Sequence, residues 1–170
     1  MLNFFKTDIK YNATLFGVVP KDWRDLEEWS TVFAEYKIIS PWMVGAYSTG
    51  KASNSNFFNR YLLDAAVGNY AKNRLRNDIR LCKSRGQKYF PNIWPGLSKG
   101  NTKRDSTSTS VFNATPRRGG AFLWHQVYSF FPEGADGFYG AMFDEVDEGT
   151  AIFKIIPNLH HPNAINNTNG

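Results

Sequence analysis

The chain predicts an α/β protein in which short parallel strands alternate with helices. Two observations carry this. Brief apolar runs closed by proline or glycine recur four times: Leu15-Phe16-Gly17-Val18-Val19-Pro20, Tyr36 to Gly45, Lys88 to Gly96, and the run opening at Asp136. Between them lie longer segments with apolar residues three and four apart, the period of a helix packed by one face. Strand, helix, strand in sequence implies a parallel sheet with right-handed crossovers. Four units are also half of the eight that close a (β/α)8 barrel, whereas four alone leave two open strand edges.

Residues 1 to 14 lack a strong period and are read as an irregular lead-in; the α/β domain is expected over 15 to 157 and a disordered Asn/His/Pro tail over 158 to 170. After the first strand, Asp22 is placed to cap a helix carrying Trp23, Leu26, Trp29, Val32 and Phe33 on one face. The second strand exits through Pro41-Trp42 and Gly45 into a polar loop over 48 to 56. A long helix then runs from Phe57 to about Arg85, with Gly68 as an expected break and Gly86 as its stop. The third strand contains Pro91 and Pro95, so its pairing should be short. Residues 97 to 115, rich in Ser, Thr, Lys and Asn, form the longest loop. Residues 121 to 131 are helical, with Phe122, Leu123, Gln126, Val127 and Phe130 inward, and Pro132 to Gly134 end them.

The fourth strand leads into Asp144-Glu145-Val146-Asp147-Glu148-Gly149, four carboxylates within five positions. A buried strand cannot hold such charge, so the acids must lie where the strand leaves the core. In βα proteins that is the edge where active sites are built. An acidic cluster after a strand is, by pattern alone, more often a solvated or capping loop than a catalytic pair. Glycoside cleavage nevertheless needs two carboxyl groups, one protonated and one ionised, flanking the scissile bond. Glu145 and Glu148, three apart, converge if the backbone turns between them. Calcium would also take oxygen ligands, but the spacing does not match an EF-hand loop, and the histidines have no metal-ligand spacing. No metal or organic cofactor is expected.

Composition narrows the partners. A net charge of +5 and pI near 9.3 permit polyanion contact, but the basic residues are scattered over several segments as a solvated face would be, and no nucleic-acid role is expected. No apolar run approaches the length of a membrane span and no signal peptide opens the chain; a secreted parent would have been shorn of its leader. The one cysteine, Cys82, cannot form an internal disulfide. Five tryptophans and fourteen phenylalanines exceed what a small core needs, and sugar clefts use aromatic faces as platforms. Trp42, Tyr47 and Trp94 stand at or beyond strand ends and are candidate stacking residues, with rim or core packing as the plain alternative. Arg117 and Arg118 are candidates to bond sugar hydroxyls or the acidic loop; otherwise they are a solvated helix start.

The run Phe143-Asp144-Glu145-Val146-Asp147-Glu148-Gly149-Thr150-Ala151-Ile152-Phe153 resembles the glycoside hydrolase family 71/99-like proteins of the xylosidase/arabinosidase-like group. It is more distantly similar to the family 99 endo-α-mannosidases, whose signature reads aromatic-Asn-Glu-Trp-x-Glu-Gly-Thr. Gly17-Val18-Val19-Pro20, Ile38 to Gly45, Trp94-Pro95-Gly96-Leu97-Ser98 and Pro116 to Gly120 resemble family blocks in the same order, over roughly residues 15 to 156. The resemblance implies the C-terminal half of a (β/α)8 TIM barrel. It implies that Glu145 is the base activating the sugar's own 2-hydroxyl and Glu148 the acid protonating the leaving oxygen, on a poly- or oligosaccharide. Val146 takes the place of the family 99 tryptophan, and the Asp-Glu-Val-Asp-Glu form is that of the 71/99-like group. The expectation is therefore a glycoside hydrolase-like fragment of a longer enzyme. Its rival is an inactive half-barrel that binds carbohydrate or a partner half, with self-association through the open edges.

Overall fold

The computed structural model describes residues 2–7, 10–47, 57–98, 100 and 113–153. Its strands are β1 (Phe16–Val19), β2 (Ile38–Pro41), β3 (Lys88–Tyr89), β4 (Asn92–Ile93) and β5 (Tyr139–Gly140). β1 pairs parallel with β2, β2 with β3, and β4 with β5. β3 and β4 are one strand interrupted at Phe90-Pro91, as a proline in mid-strand requires. The Asp136 and Tyr139 N–H groups donate to the Tyr89 and Pro91 carbonyls, which carries the ladder across the interruption. The four expected strands are thus present and parallel, each shorter than its apolar run. No closed barrel forms among the described residues.

The helical segments depart further from the sequence reading. Residues 2 to 7 are not irregular: they form α1 (Leu2–Thr7), whose Lys6 pairs with Glu35 at the far end of α2 (Ser30–Ala34). The single helix expected from Trp23 is instead two 3-10 turns, Trp23–Asp25 and Glu27–Trp29, followed by α2. Leu26 leaves the helical region at φ −95°, ψ 79°, and the Asp22 side chain caps nothing. Tertiary contacts outweigh periodicity here: the Trp23 indole and Arg24 guanidinium both donate to Asp78, so this stretch follows its anchor.

Helices α3 (Phe57–Tyr70) and α4 (Arg76–Ser84) are joined through a π-helical stretch, Ala71–Leu75. The irregularity falls there and not at Gly68, where a Cβ would meet open space. Gly86 does stop the helix. At φ 65° it allows its own N–H to reach the Lys83 carbonyl and the Gln87 N–H to reach that of Cys82, the paired bonds of a Schellman cap. α5 (Ala121–Phe130) follows a 3-10 turn and ends in another, closed by Gly134 in the left-handed region.

The helices cover one face of the sheet. Val19, Ile39, Tyr89 and Ile93 point into this interface against Leu63, Val67, Leu75, Ile79, Phe122 and Phe130. No helix of the described residues is long and apolar enough to cross a membrane. The loop over 48 to 56, most of the loop over 97 to 115 and the tail over 158 to 170 lie outside the described residues.

Candidate functional site

All the strands run in one direction, so the segments leaving them gather along one edge of the sheet. After β5, Ala141 stays in register by donating to the Ile93 carbonyl, and the chain then makes a closed excursion. The Gly149 N–H donates to Val146 O (3.0 Å) and the Thr150 N–H to Glu145 O (3.1 Å). Thr150 to Ile152 returns alongside Met142, with the Met142 N–H donating to Thr150 O and the Ile152 N–H to Met142 O. Gly149 turns with φ 71°, where a side chain would be strained, and a Cβ there would also touch Ser98.

Glu145 and Glu148 sit on this turn, both half-buried, while Asp144 and Asp147 are exposed. The bonds that hold the turn use the glutamates' backbone carbonyls; neither carboxylate has a hydrogen-bond or ion-pair partner among the described residues. Two neighbours brace the turn from outside. The Ser98 N–H donates to Glu148 O at 2.7 Å, and Arg117 Nη2 donates to Gly149 O at 2.8 Å. Burial holds the Arg117 guanidinium below its usual range, and no carboxylate pairs with it among the described residues. Gly96 makes room for that arm: a Cβ there would lie 2.7 Å from Arg117 Cγ and 2.8 Å from Thr115 O.

The other candidate residues divide. Trp42 follows β2 and remains 37% exposed, with its N–H held by Val19 O, so its ring can face a ligand. Tyr47 and Trp94 cannot. Their rings stack at 4.8 Å and 10° inside the core, among Tyr70, Phe122 and Phe130, and neither has a solvent-facing surface. The stacking role expected of them is corrected to packing: the backbone beyond each strand end turns both rings inward. Arg118 is also committed, forking onto both oxygens of Asp64 and so pinning the start of α5 to α3; His125 contacts the Asp64 backbone carbonyl from the same helix. Among the described residues, no group of His, Cys, Asp and Glu could hold a metal ion.

Three polar residues behind the site escaped the sequence reading. Asn92 accepts from the Met43 N–H and donates to Tyr139 O, tying the exit of β2 to β5. Gln126, fully buried, accepts from the Trp94 N–H and donates to Trp94 O, taking the place of a strand partner. Asp78, also fully buried, receives Trp23, Arg24 and Tyr89. A signal for it exists in the sequence: a carboxylate on the same helix face as Leu75, Ile79 and Cys82 must be satisfied from outside the helix.

Comparison with protein-family models gave no match, and comparison with curated proteins gave none. Among solved structures the chain is similar to a GH99 endo-alpha-mannosidase from Bacteroides thetaiotaomicron in complex with bis-tris-propane, with TM-score 0.55 and 16% identity over 86% of this chain and 38% of that one. A second structure of the GH99 endo-alpha-mannosidase from Bacteroides thetaiotaomicron gives TM-score 0.53 and 17% identity over 86% and 36%. At such identity the likeness is one of fold: this chain has a glycoside hydrolase-like α/β fold and spans less than two fifths of the length of the chains it matches.

Proposed function

We propose that the chain carries the catalytic loop of a glycoside hydrolase that cleaves O-glycosidic bonds in an oligo- or polysaccharide. The observation that carries the reading is the braced turn beyond β5, which holds two glutamates, neither carboxylate paired among the described residues, at the strand-exit edge of a glycoside hydrolase-like fold. In this reading Glu145 takes the proton of the sugar 2-hydroxyl as that oxygen attacks the anomeric carbon. Glu148 gives its proton to the departing oxygen, so one bond forms as one breaks. Water then opens the resulting 1,2-anhydro sugar at the anomeric carbon, Glu148 taking the water's proton and Glu145 returning one to the 2-oxygen, which restores both carboxyls. Arg117 steadies the turn from behind, and Trp42 offers an exposed ring to an adjacent sugar. The endo-alpha-mannosidase activity of the matched proteins favours α-mannosides. The Asp-Glu-Val-Asp-Glu form favours the xylosidase/arabinosidase-like group, and hence pentosides.

The test compares the chain with Glu145→Gln and Glu148→Gln on α-mannosidic, xylosidic and arabinosidic substrates. Each variant should lose about 10²-fold or more in kcat/KM, the scale of acid–base catalysis. Glu148→Gln should recover on substrates whose leaving group needs no proton. Equal hydrolysis by all three proteins would remove the pair from the mechanism. The short span against the matched chains favours one further reading, a catalytically silent piece that binds carbohydrate or a complementary half. A folded chain that binds glycans without cleaving them would select it.

A further inference from the structure

The face of the sheet opposite the helices points to a partner. On β1, Gly17 and Val19 turn toward the helices, which leaves Phe16 (39% exposed) and Val18 (51%) on the other side. The same alternation places Ile38 and Ser40 of β2, Lys88 of β3, Phe90 beyond it, and Tyr139 of β5 on that side, and of these seven residues only Lys88 is charged. The face is also concave. Strands three places apart in a flat sheet stand about 14 Å from each other, with side chains upright. Here the Phe16 ring of β1 lies 5.6 Å from the Tyr139 ring at the other end of the series, and 6.1 Å from Phe90. Only a sheet curled toward its helix-free side brings them together. At both ends of the series, β1 and β5 have no further strand partner among the described residues.

We propose that a second copy of this chain covers the concave face, the two sheets closing on each other. The geometry favours a copy of the same chain over an unrelated partner. A two-fold axis along the strands keeps every strand parallel, sets β5 of each copy beside β1 of the other, and yields eight strands. Eight is the number whose interior is just filled by side chains such as these. Closed two-fold contact also ends at two.

Sedimentation equilibrium over a concentration series on the full chain tests the proposal, and its readout needs no glycan, so it stands apart from the hydrolase reading. The expected species has twice the 19.3 kDa chain mass and nothing larger. Val18→Lys and Tyr139→Lys, both at water-exposed positions of the single chain, should halve the mass while far-UV circular dichroism is unchanged. Tyr128→Ser, on the exposed outer side of α5, should leave the dimer intact. A wild-type monomer, an open series of larger species, or a dimer indifferent to Val18→Lys would each overturn it.

Discussion

Arg117 Nη2 donates to the Gly149 carbonyl at 2.8 Å, and one residue earlier the Glu148 carbonyl accepts the Ser98 N–H at 2.7 Å. The peptides on either side of Gly149 are therefore each gripped, the one before it by the backbone leaving β4 and the one after it by a side chain from the approach to α5. A protease specific for glutamate needs the bond after Glu148 extended and free, so the native chain should resist cleavage there. Arg117→Met removes one grip, a hydrogen bond from a charged donor contributing about 1 to 2 kcal/mol for a half-buried group. Cleavage after Glu148 should then speed up about tenfold, read by mass spectrometry of timed digests. Unchanged digestion would mean that Ser98 alone holds the turn.

Gly96 tests the same brace from the other side. The Cβ of Gly96→Ala would meet the Arg117 stem at 2.7 Å and the Thr115 backbone oxygen at 2.8 Å. The arm can swing aside but the backbone oxygen yields less, so the cost should be about 1 to 3 kcal/mol, as for other overpacked sites. The diagnostic outcome is a combination: a lower urea midpoint together with faster cleavage after Glu148. A stability loss with the turn still protected would separate Gly96 from the brace.

The strands were legible because each apolar run ends in proline or glycine, and the Gly86 stop was legible because a cap of this kind needs a left-handed residue. The acidic turn was legible as a place, since charge cannot stay in a strand. Half of its brace was legible too, since Arg117 stood as a candidate partner of the acidic loop and bonds Gly149 O; the Ser98 half was not, because it is distant in sequence and acts through its backbone N–H. Tyr47 and Trp94 show why exposure was misread. Aromatic type and nearness to a strand end are shared by rim and core residues, and the direction of the ring depends on the turn that follows. The split of Trp23 to Trp29 into two short turns was hidden for a related reason. Its cause is Asp78, which binds Trp23 and Arg24 from 55 and 54 positions away in the chain.

Cys82 provides a probe of the whole fold. Burial, with the nearby Asp78 charge adding to it, pushes its thiol up to about 12. The reactive thiolate is thus scarce, and the buried sulfur is closed to reagents as well. Labelling by a disulfide reagent at neutral pH should be at least about a thousandfold slower in the native chain than in the denatured one, following the small unfolded fraction. Fast native labelling would mean that α4 opens locally from β3.

Asp78 yields the last prediction. Its carboxyl has no exposure, and burial pushes it above its ordinary range; the donors Arg24, Tyr89 and Arg74 oppose that only in part. A carboxyl raised on folding holds its proton more tightly in the native state. Its contribution to stability is therefore full below the unfolded value, near 3.9, and is lost as pH rises through the higher folded value. Asp78→Asn cannot titrate, so the difference in stability between Asn and Asp should move in favour of Asn as pH rises from about 4 into the neutral range. Asp78→Ala is a different change. It leaves Arg24, Tyr89 and Trp23 aimed at an empty site and should cost about 3 kcal/mol at neutral pH, as removal of one member of a buried pair does. Urea unfolding of the three proteins across that range measures both effects. A difference between Asp and Asn that does not vary with pH would show that Asp78 titrates alike in the folded and unfolded chain.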